Sequence, residues 1–164
     1  MTKNPFGPSG DFTTSPNISR LFSEMVAIWV VSFWHTLGCP KKFNLIELGA
    51  GNGEMMKVMI ESFKRFPSFF KSCNFIIHEK SPRLIKKQKA NIKFRNVKWV
   101  KNLIILNNLP NIFLANEFFD AIPIKQFFKK KNNWYEKYIQ ILPQKEYSFS
   151  RKQFNISKLN KKFN

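Results

Sequence analysis

Short apolar runs and longer stretches with helical spacing alternate along this chain. The segments FNLIEL (43–48) and NFIIH (74–78) are each predicted to form a short buried strand. Between them, apolar residues from Met55 to Phe63 recur every three or four positions, which predicts a helix over 54–66 that Pro67 ends. A strand, a helix and a second strand in this order predict an α/β fold with a mainly parallel sheet and helices on both faces.

The remaining elements are predicted from capping residues and weaker apolar patterns. The Ser15-Pro16 pair is a favourable helix start, and the apolar face that follows it continues to about Leu37. The Ser81-Pro82 pair opens another helix in the same way. Further short strands are predicted at Val97–Val100, Ile112–Ala115, Ile124–Phe128 and Trp134–Ile141. After the last of these strands the chain is polar and rich in Lys and Asn, so a flexible end is expected.

Composition indicates a folded and strongly basic protein. The 164 residues correspond to one domain, and a hydrophobic content of 43% with 19 Phe is sufficient for a core. A net charge of +18 suggests nucleic acid, an acidic partner or an anionic membrane surface. The basic residues are scattered, however, and the abundance of Lys, Asn, Ile and Phe is typical of A+T-rich coding sequence. A solvated basic surface is therefore favoured, and nucleic-acid binding is the weaker alternative.

The cysteines and the apolar runs indicate in which cellular compartment the protein is expected. Cys39 and Cys73 are far apart, with no Cys or His at metal-ligand spacing, so neither a metal site nor a disulfide framework is expected. The longest apolar run, 25–34, is about half the length of a bilayer span. The first residues lack the pattern of a signal or transit peptide. We expect a reducing compartment, the cytoplasm of a bacterium, with the mitochondrial matrix as the alternative.

A glycine-rich turn follows the first predicted strand and precedes a helix. It reads ELGAGNG, and Gly49, Gly51 and Gly53 allow the backbone to turn sharply and to approach a ligand closely. The turn differs from the dinucleotide fingerprint GxGxxG, because Glu54 replaces the last glycine. Glu47 precedes the turn, which suits a ligand that carries an ammonium and a sulfonium rather than a pyrophosphate. The alternative is a purely structural turn.

Acidic and amide residues follow two later strands. Glu79 stands at the end of the second strand, where a carboxylate can accept hydrogen bonds from both hydroxyls of a ribose; the alternative is a surface residue that caps the next helix. Asn116 can position a methyl donor, and Glu117 or Asp120 can hold a cationic substrate. The alternative is that these two acids cap a helix. Because ligands bind beyond the carboxyl ends of parallel strands, we expect the three segments to meet at one edge of the sheet.

Five stretches of the chain together resemble the MidA family of S-adenosylmethionine-dependent methyltransferases. They are GPSGDFTTSPNIS, FSEMVAIW, ELGAGNGEM, HEKSPRLIKKQ and NEFFDAIP, in the family's order over about residues 7–126. The mitochondrial members of this family include the arginine methyltransferase that assists assembly of respiratory complex I.

The resemblance implies a Rossmann-like methyltransferase fold with S-adenosyl-L-methionine as cofactor. It implies cofactor binding at the three glycines, with Glu79 on the ribose, and an active site close to the loop 10–16. It also implies a protein substrate, a complex I subunit methylated on arginine. Since arginine is almost always protonated, carboxylates can orient it by bidentate contacts. Glu117 and Asp120 are the candidates, with Asp11 as a further one, and Glu47 supports the turn or the cofactor's ammonium.

The chain departs from the family pattern at a few positions and in length. Asn17 stands where the family usually has Glu, and Ala50 and Asn52 replace a Pro and an Arg. Family members also extend further on both sides, so we expect a truncated member with an incomplete sheet. Its domains are then a loop and helix packed on the core (1–40), a partial cofactor-binding domain (41–142) and a basic, flexible tail (143–164). The alternative functions are a non-catalytic relative that binds the cofactor and a nucleic-acid-binding protein.

Overall fold

The computed structural model of this protein describes residues 19–103 and 108–155. Contacts within the chain divide it into two units, the first ending at Phe119 and the second beginning at Asp120. The first unit contains α1 (Arg20–Thr36), β1 (Phe43–Leu48), α2 (Glu54–Phe63), α3 (Pro67–Ser72), β2 (Cys73–His78), α4 (Pro82–Asn91), β3 (Val97–Val100) and β4 (Asn111–Leu114). The second contains β5 (Gln126–Lys130), β6 (Asn133–Ile141) and β7 (Tyr147–Phe154).

The four strands of the first unit form one parallel sheet in the order β3-β2-β1-β4. β1 lies between β2 and β4, and all six of its residues are buried, including the polar residues Asn44 and Glu47. In the register of the sheet, Leu48 lies beside His78 and Glu47 lies beside Leu114. The carboxyl ends of β1, β2 and β4 are therefore neighbours, and the predicted mainly parallel α/β fold is confirmed.

The larger hydrophobic cluster lies between the sheet and the helices α1, α2 and α3. Phe63 and Phe69 contact each other with ring centroids 4.6 Å apart, and Trp34 of α1 meets Phe69 edge to face at 5.5 Å. The opposite face carries a smaller cluster, made by Ile46, Leu48, Ile76 and Val100. In the part of the chain that the structure describes, no α-helical residue belongs to this smaller cluster.

Two helix boundaries differ from the prediction. The helix that packs on the core begins at Arg20, because Ser19 is extended and occupies the N-cap position; the predicted start at Ser15-Pro16 lies outside the described residues. α2 ends at Phe63 and not at residue 66, and Pro67 opens the short helix α3, which the sequence analysis missed. Proline is well tolerated in the first turn of a helix, where no intrahelical partner is needed for the missing N–H.

The second unit is an antiparallel three-stranded sheet in the order β5-β6-β7. Strands were predicted at 124–128 and 134–141, and both exist, but they pair with each other as a hairpin. β7 lies within 143–164, where a flexible tail was expected, and the expected boundary at 142 falls inside this sheet. Pairing with β6 satisfies the backbone of β7, and Phe154 contacts Phe127 at 4.6 Å between ring centroids.

Within the residues that the structure covers, no helix is long and apolar enough to cross a bilayer.

Candidate functional site

The three segments singled out in the sequence lie at the carboxyl edge of the parallel sheet. The amide of Gly49, which follows β1, donates a hydrogen bond of 3.1 Å to the carbonyl of His78 at the end of β2. The amide of Glu79 donates one of the same length to the carbonyl of Val100 in β3. Asn116 comes two residues after the last residue of β4, on the other side of β1. The structure therefore brings these segments together at one edge.

Left-handed backbone conformations form the glycine turn between β1 and α2. Gly49 has φ +67°, and a Cβ atom there would lie 2.6 Å from the ring of Phe118, closer than real contacts allow. Gly51 has φ +54° and open space where a side chain would be. Glycine is needed at Gly49 for both the conformation and the close approach of Phe118. At Gly51 the open space leaves room for a ligand to approach the backbone.

Two asparagines fix the start of α2. The side chain of Asn52 accepts a hydrogen bond of 3.1 Å from the amide of Glu54, which satisfies one of the first N–H groups of the helix. Asn91 at the end of α4 donates to the carbonyl of Asn52 at 3.3 Å and to the carboxylate of Glu54 at 2.9 Å. The Asn52 side chain, at a position where a departure from the family pattern was expected, therefore supports the first turn of α2.

Glu47 is a buried acid directly before the glycine turn. Its side chain is only 3% exposed, and its Oε2 atom has no hydrogen-bond partner among the described residues. Burial raises the pKa of Glu47 from 4.5 to about 8, and a hydrogen bond from the backbone of Met56 only partly opposes this. A buried carboxyl with an unused acceptor atom is a suitable partner for a cationic group of a ligand.

Glu79 is also buried, but hydrogen-bond donors surround its carboxylate. Oε1 accepts from the amide of Ser81 at 2.9 Å, and Oε2 accepts from the side chain of Gln88 at 3.2 Å. The hydroxyl of Ser81 accepts from the amide of Leu84 at 3.3 Å and caps α4, as predicted for this residue. Each carboxylate oxygen accepts more than one hydrogen bond, so Glu79 keeps capacity for a ligand hydroxyl.

The segment after β4 contributes a strained acid and a packed aromatic ring. Glu117 has φ +47°, an unusual conformation for a residue without a short polar side chain, and its side chain is exposed. The ring of Phe118 packs on the smaller hydrophobic cluster and meets the ring of His78 edge to face at 6.4 Å. Asn116 is half-buried at this position. Phe118 thus anchors the segment that presents Asn116 and Glu117 at the sheet edge.

Three of the residues considered in the sequence do not belong to the described part of the first unit. Asp120 is exposed and is the first residue of the second unit, whereas the sheet edge belongs to the first. Asp11 and Asn17, in the loop that resembles the family, lie outside the described residues.

Sequence reasoning missed two residues that shape the site, Gln88 and Phe118. Gln88 is fully buried and joins the glycine turn to Glu79. Both occur in stretches that resemble the family, HEKSPRLIKKQ and NEFFDAIP, and this was the only signal available. Neither residue type predicts such a role by itself.

A second concave region lies at the opposite, amino edge of the sheet. It has a volume of about 620 Å³, and Lys42, Asn44, Asn74 and Lys98 are among its lining residues. Amide side chains of Asn44, Asn74 and Asn111 are hydrogen-bonded across three adjacent strands there. This region contains none of the predicted site residues. In the described ranges, no group of three or more His, Cys, Asp or Glu residues could hold a metal ion.

Comparison with solved structures supports the fold. The chain superposes with a TM-score of 0.72 on a Burkholderia thailandensis protein crystallised with S-adenosyl-homocysteine, at 20% identity, over 98% of this chain and 42% of that one. A second crystal structure from the same organism gives a TM-score of 0.66 at 22% identity.

Comparison with curated proteins and family models identifies the family. The proteins named "Protein arginine methyltransferase NDUFAF7, mitochondrial" from Xenopus laevis and Homo sapiens are each 30% identical over 87% of this chain. The chain spans 38% of the length of each of these relatives. Residues 25–164 match a family model described as "Putative S-adenosyl-L-methionine-dependent methyltransferase". The chain therefore belongs to this family of S-adenosyl-L-methionine-dependent methyltransferases.

Proposed function

We propose that the carboxyl edge of the parallel sheet binds S-adenosyl-L-methionine and that the protein transfers its methyl group to an arginine side chain of a protein. The observation that carries the proposal is the buried carboxyl oxygen of Glu47, which has no hydrogen-bond partner in the described part of the chain, beside a left-handed glycine turn with open space at Gly51. The expected substrate is a subunit of respiratory complex I, which rests on the resemblance of the sequence alone.

The residues at this edge fit the chemistry of the proposed cofactor. Glu47 offers an acceptor in a site of low polarity, where attraction to an ammonium group is stronger than in water. Glu79 offers a carboxylate that Ser81 and Gln88 already orient, so that it can accept from ribose hydroxyls. When bound, S-adenosyl-L-methionine supplies an electrophilic methyl carbon on a sulfonium. Carboxylates near the site attract this positive charge, so they favour binding of the cationic cofactor over binding of neutral ligands.

The acceptor side of the site is proposed at the segment after β4. Glu117 is exposed and held in a strained conformation, and its carboxylate can orient a protonated guanidinium by bidentate contacts. Asn116 is proposed to position the methyl donor. Asp120 and Asp11 remain further candidates for contact with the substrate. In such a displacement the protein contributes chiefly by holding the nucleophile and the methyl carbon in line.

The names of the relatives support the proposed reaction and its cofactor. The frog and human relatives carry "Protein arginine methyltransferase" in their names, and the structural neighbour holds S-adenosyl-homocysteine. Because this chain spans 38% of those relatives, its own catalytic activity is part of the proposal and needs a direct assay.

Cofactor binding is tested by titration calorimetry with S-adenosyl-homocysteine. We expect Glu79→Gln to weaken binding by about 10-fold or more, because a hydrogen bond to a charged group contributes about 1.5–3 kcal/mol. Glu61→Gln is the matched control: this acid on α2 is exposed and pairs with Arg20 at 2.8 Å, away from the sheet edge. Equal affinities of the two variants would contradict the site, and no binding by the wild type would contradict the function.

Methyl transfer is tested separately with methyl-labelled cofactor and arginine-containing peptides, including peptides from complex I subunits. We expect labelled methylarginine, and we expect Glu117→Gln to lower kcat/KM with little effect on cofactor binding. Cofactor binding without transfer would support the non-catalytic relative. Salt-dependent binding to oligonucleotides without cofactor binding would support the nucleic-acid alternative.

A further inference from the structure

Gln88 is a fully buried amide on a helix that is otherwise polar and largely exposed. Its side chain has no exposure to solvent, whereas its neighbours Lys86 and Lys89 on α4 are exposed. A buried amide is costly unless its donors and its acceptor are all used. The position therefore calls for an explanation beyond the packing of the helix.

Three segments of the first unit supply the partners of Gln88. Its Nε2 group donates to the carbonyl of Gly51 at 3.1 Å and to the carboxylate of Glu79 at 3.2 Å. Its Oε1 atom accepts from the indole N–H of Trp99 in β3 at 3.0 Å. A carbonyl and a carboxylate only accept, and an indole N–H only donates, so just one orientation of the amide satisfies all three.

The stem of the same side chain packs against the glycine turn. A Cβ atom at Gly53 would lie 3.3 Å from Cγ of Gln88. Gln88 thus touches the turn at two points, and it reaches the end of β2 through Glu79. Two of its hydrogen-bond partners, Gly51 and Glu79, are residues to which the proposed cofactor site assigns a role, and they follow different strands, β1 and β2.

We propose that Gln88 is a positioning residue that fixes the Glu79 carboxylate relative to the glycine turn. One amide group donates to both, so the point that receives the ribose and the turn that receives the rest of the cofactor are held at a set separation. Trp99 holds the amide in the required orientation. This inference rests on the proposed function for its consequence, but the arrangement itself concerns the ligand-free protein.

The variant Gln88→Met tests the proposal, because Met has a similar length and no amide. The probes are S-adenosyl-homocysteine and the analogue that lacks both ribose hydroxyls. We expect Gln88→Met to lower the affinity for S-adenosyl-homocysteine by about 10-fold or more and to change the affinity for the analogue much less. The ratio of the affinity for S-adenosyl-homocysteine to the affinity for the analogue then falls. If Gln88 has a purely structural role, Gln88→Met should lower the affinities for both ligands to the same extent.

Asn91→Ala is the matched control on the same helix. Asn91 also connects α4 to the turn, but its side chain donates to the carbonyl of Asn52 and the carboxylate of Glu54, and not to Glu79. We expect this variant to keep the ratio of the two affinities, even if the turn is loosened. A ratio that falls as far in Asn91→Ala as in Gln88→Met would overturn the proposal.

A readout without ligand separates this inference from the proposed function. By NMR of the free protein, we expect slow hydrogen exchange of the Trp99 indole N–H and a single sharp carboxyl carbon resonance of Glu79. Gln88→Met should accelerate the exchange and broaden or split that resonance, whereas Asn91→Ala should leave both unchanged. An unchanged Glu79 resonance in Gln88→Met refutes the positioning role, whether or not the wild type binds the cofactor.

Discussion

Burial of Glu47 makes the stability of the ligand-free protein depend on pH. Burial raises the pKa of this carboxyl from 4.5 to about 8, while in the unfolded chain it keeps its ordinary value. Between these two values the folded protein binds more protons than the unfolded chain. The contribution of Glu47 to the free energy of unfolding is therefore highest below about pH 4.5, and it falls as the pH rises from there to about 8.

The size of the effect follows from the two pKa values. Each pKa unit corresponds to about 1.4 kcal/mol, so the full loss above pH 8 is on the order of 5 kcal/mol. Between about pH 5 and about pH 8 the loss is roughly 3 kcal/mol. Since single domains unfold with about 5–15 kcal/mol, this one group can decide whether the free protein is folded at mildly alkaline pH.

Urea unfolding of the wild type and of Glu47→Gln across this pH range measures the effect. Glutamine has the same shape and cannot ionise, so the variant should gain stability over the wild type by roughly 3 kcal/mol as the pH rises from about 5 to about 8. Glu61→Gln changes an exposed acid, so its free energy of unfolding should follow the same pH dependence as that of the wild type. If the curve of Glu47→Gln also stays parallel, Glu47 is not a buried, protonated acid at neutral pH.

The same shift should appear in cofactor binding. If the cofactor's ammonium group pairs with ionised Glu47, the pKa of Glu47 falls on binding. Near pH 7, Glu47 then releases close to one proton for each ligand that binds. Titration calorimetry in two buffers with different ionisation enthalpies counts this proton. Glu47→Gln should release none, and a wild type that also releases none would separate Glu47 from the cofactor's ammonium.

Three further predictions concern the turn, a helix cap and the charge of the protein. Gly49→Ala should lower the free energy of unfolding by about 2 kcal/mol or more, whereas Gly51→Ala should lower it by about 1 kcal/mol, because only the first also clashes with Phe118; equal losses in thermal unfolding would contradict this. Ser81→Ala should cost about 1 kcal/mol through the lost cap of α4, and an unchanged unfolding midpoint would show that the cap is not needed. S-adenosyl-L-methionine carries one more positive charge than S-adenosyl-homocysteine, so the net charge of +18 repels it more strongly. Added salt screens this repulsion and should raise the affinity for S-adenosyl-L-methionine relative to that for S-adenosyl-homocysteine. If salt does not change the ratio of the two affinities, long-range repulsion is excluded.

The parts of the fold that the sequence predicted well are those fixed by local patterns. β1 was predicted at its observed bounds because four apolar residues lie within this short segment of six. Ser81 was recognised as a cap because its role depends on a residue only three positions away. β7 was missed because its stability comes from pairing with β6, which a Lys- and Asn-rich segment does not reveal. The left-handed conformation of Glu117 was not predictable either, since the packing of Phe118 beside it imposes the conformation of that segment.

In the candidate site, too, the features set by local sequence could be predicted, and those set by distant contacts could not. The glycines and the acids that follow strands could be named from the sequence, because parallel strands bring their carboxyl ends to one edge whatever the details of packing. What sets Glu47 apart from Glu79 could not be named, because both acids are buried and stand at adjacent strand ends. The difference is in the donors that face them: Glu79 receives hydrogen bonds from Ser81 and Gln88, whereas an oxygen of Glu47 has none among the described residues. Under the proposed function, Glu79 would accept from the neutral hydroxyls of the ribose, and Glu47 would gain a charge partner only when the ammonium binds. The two environments fit the two kinds of polar group that the proposed cofactor carries.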